Sequence, residues 1–225
     1  EHDDVITMFH EFGHLMHHVL GGRQRWVRQS GVSTEFDFVE APSQMFEEWA
    51  WSHEILARFA CHHETGQPIP KALVEKIKKA ATFNQGFDTT EYLGSAIMDM
   101  KYHMMDPAGL DPRTFERDEL KKLGMPREIP MRHRSTHFTH VFSGEGYSAG
   151  YYGYMWADVL TADAAEAFAT APGGYWDKAL AKKLVDNLFA VRNAVDPEDA
   201  YRAFRGRDAK IEALMRARGF PVPTK

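Results

Sequence analysis

Apolar positions along this chain recur mainly at helical spacing. Within residues 3–20, Val5, Met8, Phe9, Phe12, Leu15, Met16, Val19 and Leu20 make a broad apolar helix face. Gly21 and Gly22 then act as the stop signal. Residues 23–33 read as a polar connection with a turn at Ser30-Gly31. A second helix is predicted from Thr34 to Cys61, through Phe38, Met45, Phe46, Trp49, Ile55, Leu56 and Phe59, with Pro42 in an early turn or at a gentle kink. Glu64 to Pro70 is a loop, and Leu73, Ile77 and Ala81 mark the helix after it. Further helices are predicted over 89–105, 147–170, 176–192, 197–204 and 208–218, the last stopping at Gly219. Asp106-Pro107 and Asp111-Pro112 signal turns or helix starts, and 124–136 reads as a long loop. Strand signals are confined to Val27–Gln29 and Thr139–Phe142. The expected fold is mainly α, a helical domain with little β-structure, and nothing marks a domain boundary.

Composition narrows the function. Hydrophobic residues make up 44% of the 225, enough to bury a core, which argues against disorder. A net charge of −5 gives no basic footprint for nucleic acid. No apolar run approaches the ~20 residues that span a bilayer, so no membrane partner is expected. The single cysteine, Cys61, excludes an intrachain disulfide and fits a reducing compartment. The chain opens on Glu1 and enters a helical pattern at once. We therefore expect a piece of something longer, with an amino-terminal half missing.

The chemistry begins at His10-Glu11-Phe12-Gly13-His14, an H-E-x-x-H motif inside the first helical pattern. Four residues is about one turn, so both imidazoles leave one face and can meet one ion. Glu11, displaced around the helix, is placed beside a zinc-activated water as general base. A catalytic zinc needs a third protein ligand, for which His17, His18, Glu35, Asp37 and Glu40 are candidates. His17 would require three ligands converging over two turns of one straight helix, and a carboxylate from a facing helix serves better. Spacing does not choose among the carboxylates. Glu47, seven residues after Glu40, either orients a zinc-bound histidine or is a solvated carboxylate.

Three separated blocks give the chain a resemblance. They are Phe9 to His14, then Asp37-Phe38-Val39-Glu40-Ala41-Pro42-Ser43-Gln44-Met45, then Phe142-Ser143-Gly144-Glu145-Gly146-Tyr147 through Trp156. Together with Asp196-Pro197 to Phe204-Arg205-Gly206-Arg207, they resemble the thimet oligopeptidase and peptidyl-dipeptidase family of zinc metallopeptidases, which includes oligopeptidase A. The resemblance covers nearly the whole chain and is strongest to the bacterial branch, so a cytoplasmic setting is expected. It implies one zinc per chain, with Glu40 as the third ligand beside His10 and His14. It implies that short peptides are the substrates and that this chain is the carboxy-terminal, metal-bearing portion of a longer enzyme. The missing amino-terminal half is then its partner.

Tyr147, Tyr151 and Tyr154 fall at i, i+4 and i+7, one face of a predicted helix. Without the family they read as an aromatic core stripe. The resemblance makes Tyr154 and Tyr147 donors to the tetrahedral intermediate, and makes Tyr151, His140 and the loop glycines Gly144 and Gly146 substrate contacts. His133 and His137 read as plain surface. Arg23, Arg25, Arg28, Arg132 and Arg134 are candidates for anchoring a substrate carboxylate. Three functions remain in competition at this stage. They are a zinc peptidase acting on oligopeptides by dipeptide release or internal cleavage, a zinc-binding fragment inactive without its other half, and a metal-free helical interaction domain.

Overall fold

The computed structural model describes residues 1–222, the side chain of Arg23 excepted. Eleven α-helices follow in order among the described residues: α1 (His2–Leu20), α2 (Glu40–Glu47), α3 (His53–Leu56), α4 (Lys71–Ala81), α5 (Gln85–Met104), α6 (Pro112–Lys122), α7 (Thr139–Phe142), α8 (Gly153–Thr170), α9 (Lys178–Leu184), α10 (Pro197–Arg205) and α11 (Ile211–Ala217). Those residues contain no β-strand beyond one isolated bridge between Cys61 and Pro68. The mainly α fold is as expected. Both strand candidates are corrected: Val27–Gln29 is a 3-10 turn and Thr139–Phe142 is α7. Runs of three or four residues are too short for periodicity to separate a strand from one helical turn.

The chain divides into two compact units, residues 1–83 with 155–225, and residues 84–154. In the first, α1 packs closely on α2. A Cβ added at Gly13 of α1 would lie 2.6 Å from Ser43 Cα and 2.8 Å from Pro42 O, so glycine is needed there for the helices to approach. Behind this contact, Phe38, Ala41 and Met45 join Phe168, Leu188, Phe189, Tyr201 and Phe204 in one core. Buried Asp163 ties the far side together, accepting from Tyr201 at 2.8 Å and from Arg207 at 2.7 Å. Asp196 caps α10 ahead of Pro197, and in the second unit Asp111 caps α6 ahead of Pro112, the latter as the sequence signals.

Three other expectations change. The helix predicted over Thr34–Cys61 is broken: α2 passes into a 3-10 turn at Glu48–Trp51, and Ser52 is extended before α3. Pro42 sits in the first turn of α2. Gly21 does end α1, but at φ −79° it uses no left-handed conformation. Its value is space, because the Arg192 Nε occupies the point, 1.7 Å away, where a Cβ would be. The helix predicted from residue 147 begins only at Gly153.

In the second unit, Ala96, Met98, Met131, Phe138, Val141 and Tyr151 form the core. The long loop at 124–136 is held by buried Glu116, which accepts from Ser135 N at 2.8 Å and Ser135 Oγ at 2.7 Å.

Candidate metal centre

His10 and His14 leave α1 one turn apart, with ring centroids 4.9 Å apart and planes at 87°. Glu40, the first residue of α2, meets both. Its Oε2 is 3.2 Å from His10 Nε2 and 3.3 Å from His14 Nε2. Ser43 Oγ donates to the Glu40 carbonyl at 2.8 Å and to Oε2 at 3.0 Å, which fixes the carboxylate. On the other side of the His10 ring, Nδ1 lies 2.7 Å from Glu47 Oε1. A carboxylate only accepts, so His10 donates its Nδ1–H to Glu47, the arrangement that would leave Nε2 available to a bound ion.

This donor set fits a divalent ion. Ligands on a tetrahedral zinc with bonds of about 2.0–2.1 Å lie about 3.3 Å from one another. The two edges from Glu40, 3.2 and 3.3 Å, match that spacing. Hydrogen bonds to Glu40 and Glu47 push the His10 imidazole up to about 10. Burial opposes the ionised form of Glu40, but hydrogen bonds from His10 and His14 outweigh it and bring its carboxyl down to about 2. Among the described residues, His10, His14 and Glu40 are the one group able to hold a metal ion. Glu11 is exposed on α1, one position beyond His10.

The alternative ligands fall elsewhere. His17 is fully buried against Phe189, with ring centroids 5.7 Å apart. Burial, with Arg192 nearby, pushes it down to about 3, so it is a neutral core histidine. His18 packs over Gly31, its ring 3.0 Å from where a Cβ would stand. Glu35 and Asp37 line a groove with Trp156, Leu160 and Tyr201.

The second unit holds the other predicted residues. His140, on α7, is surrounded by three tyrosine rings, with centroids 5.0 Å from Tyr147, 5.6 Å from Tyr151 and 5.9 Å from Tyr154. Tyr154 Oη is 3.5 Å from His140 Nε2. The cluster is built by a turn and not by the helical stripe read from the sequence. Tyr147 lies in a 3-10 turn, and Ala149 adopts φ +55° before α8 begins. Tyr151 is buried, stacked on Tyr92 at 5.3 Å and edge-on to Phe138 at 5.0 Å, which makes its ring part of the core. A Cβ added at Gly144 or Gly146 would meet no atom within 4 Å, so both glycines border open space.

His137 is exposed as expected, but His133 is half-buried and stacked on Phe138 at 5.2 Å. Among the arginines, Arg134 pairs with buried Glu116 at 2.6 Å and Arg25 lies over the Trp26 ring at 5.2 Å. The Arg23 side chain falls outside the described residues. Asp99 and His103 of α5 form a further pair that hydrophobic periodicity alone does not single out. The available signal was an Asp-x-x-x-His pair, i and i+4 on a helix, with the acid next to Ala96 and Met98.

Comparison with known proteins gives a consistent result. The family model for peptidase family M3 matches residues 1–220. Dipeptidyl carboxypeptidase of Salmonella typhimurium is 39% identical over 96% of this chain and 32% of its own length. Oligopeptidase A of Escherichia coli is 37% identical over 95% of this chain and 31% of its own length. Saccharolysin of Saccharomyces cerevisiae is 30% identical over 97% of this chain and 31% of its own length. The chain therefore spans about a third of the length of these curated relatives.

Proposed function

Because the chain belongs to peptidase family M3, we propose that it is the zinc-binding portion of a metallopeptidase that hydrolyses peptide bonds in oligopeptides. The observation that carries this reading is the convergence of His10, His14 and Glu40 at the edge lengths of a tetrahedral site. These three residues would hold one zinc ion. Bound there, zinc would lower the pKa of a water toward ~7 and polarise a peptide carbonyl. Glu47 orients His10 through Nδ1, and Ser43 orients Glu40.

Glu11 accepts the proton of the attacking water and passes it to the leaving amine. The resemblance assigns Tyr154 and Tyr147 to the developing oxyanion, where a phenol donates a hydrogen bond that strengthens as charge builds. His140 and the Gly144–Gly146 loop serve the substrate. Tyr151, packed in the core, supports its neighbours more than it touches peptide. Relatives named for dipeptide release and for oligopeptide cleavage match this chain about equally well. Both remain within the proposal.

A second reading is favoured by the surface of α1. Met8, Phe12, Leu15 and Val19 are exposed along the strip of helix next to Glu11. Under this reading the chain binds zinc but turns over only with further protein packed along that strip. The test is to measure bound zinc, then cleavage of a short blocked peptide, for the parent and Glu11→Gln. The variant is expected to keep zinc and lose turnover. Full activity in Glu11→Gln sinks the mechanism. Stoichiometric zinc without hydrolysis in the parent selects the second reading.

A further inference from the structure

A fully buried carboxylate sits under the tyrosine-bearing turn. Asp99 is on α5, whose other buried positions are Gly94, Ser95, Ala96 and Met98. Its Oδ1 accepts the Ala149 N–H at 3.1 Å and its Oδ2 accepts the Tyr151 N–H at 2.9 Å. His103, one turn further along α5, places Nδ1 2.8 Å from Oδ1. The backbone segment held this way is strained. Ala149 has φ +55°, a left-handed conformation that an alanine rarely adopts and that a glycine would accept without strain. From the same α5, Tyr92 donates its hydroxyl to the Tyr151 carbonyl. The three anchored groups, Ala149 N–H, Tyr151 N–H and Tyr151 C=O, lie between Tyr147 and Tyr154 in sequence.

We propose that Asp99 is a positioning residue whose carboxylate, braced by His103, holds the 149–151 turn in the conformation that presents Tyr147 and Tyr154 to substrate. The proposal rests on the catalytic assignment of those tyrosines. A buried carboxylate without donors would be strongly disfavoured, so its partners are part of the design. Two of the partners are amides of a single strained turn. Aspartate here substitutes for the glycine that would otherwise make Ala149's conformation easy. It also removes the freedom that a glycine would give the loop.

The test uses the zinc-loaded chain with whatever further protein its turnover requires. In Asp99→Asn one acceptor oxygen becomes an NH2 facing an N–H. Hydrogen exchange across 147–152 is expected to quicken by roughly 100-fold, while α1 and α2 keep their protection and zinc stays bound. Peptide turnover should fall in kcat about as far as in Tyr154→Phe, and the double variant should be little worse than either alone. Ala149→Gly, by relieving the left-handed alanine, should restore part of the turnover in the Asp99→Asn background. If Asp99→Asn does not accumulate, His103→Gln serves in its place, with a smaller exchange change of the same sign. Unchanged exchange over 147–152 overturns the proposal. So does full multiplication of the Asp99→Asn and Tyr154→Phe losses. Full activity in Tyr154→Phe sinks the tyrosine assignment instead, and the exchange data then decide on Asp99's hold over the turn.

Discussion

His10 and His14 reach a common point because a helix repeats about every 3.6 residues. Tyr147, Tyr151 and Tyr154 gather round His140 although no helix joins them. The proposed metal ligands rest on two packed helices, and two of the three are fixed by one further side chain each: Glu47 on His10 and Ser43 on Glu40. The tyrosine cluster rests on a turn fixed from beneath by backbone hydrogen bonds to Asp99. One region is rigid through side-chain packing between regular elements. The other is rigid through polar anchoring of an irregular one. The two should fail in different ways.

The largest effects are expected at the ligands. His10→Ala and Glu40→Ala each remove one corner of the set, and each should abolish stoichiometric zinc by metal analysis. The loss should go well beyond the roughly 10–100-fold in affinity that outer partners are worth. Retained stoichiometric zinc in Glu40→Ala would remove Glu40 from the site.

Tyr154→Phe comes next. Its zinc content should be unchanged, and kcat should fall by about 10²–10³-fold, the usual cost of removing one oxyanion donor. A rise in KM at constant kcat would move Tyr154 from transition-state donor to plain substrate contact. Glu47→Gln should then weaken zinc by about 10–100-fold, because His10 loses the carboxylate that fixes its ring. Calorimetric titration with zinc measures this directly. An unchanged affinity would return Glu47 to being a solvated carboxylate.

This contrast also explains what the sequence reveals. The H-E-x-x-H spacing encodes a geometry by itself, since any α-helix through residues 10–14 brings both imidazoles to one face. The choice of Glu40 over Glu35 and Asp37 depends on where the second helix starts, and periodicity does not fix a start. His17 shares its helix and residue type with the ligands, yet it is buried behind them against Phe189. The tyrosine spacing of four and three imitates a helix. Gly144, Gly146 and Gly150 within and beside it were the signal that the backbone turns instead. Asp99 is the buried one of three acids on α5, and its partners are main-chain amides about fifty residues away in sequence, which no side-chain pattern records.

The smallest effects separate the two regions most cleanly, because they compare one substitution in both. Gly13→Ala places a Cβ 2.6 Å from Ser43 Cα and 2.8 Å from Pro42 O. These are backbone atoms that cannot rotate away, so α1 and α2 must part by several tenths of an ångström. The expected cost is about 1–3 kcal/mol of stability, as for other overpacked contacts. It should appear as a lower midpoint in thermal unfolding, with weaker zinc because the 3.2 and 3.3 Å edges open together. Gly146→Ala adds the same methyl where no atom lies within 4 Å, so stability should shift by less than about 0.5 kcal/mol. Its effect should fall on KM, because the space it fills is where the substrate backbone is proposed to pass. Equal thermal shifts for the two variants would mean that the close crossing of α1 and α2 does not set the metal site.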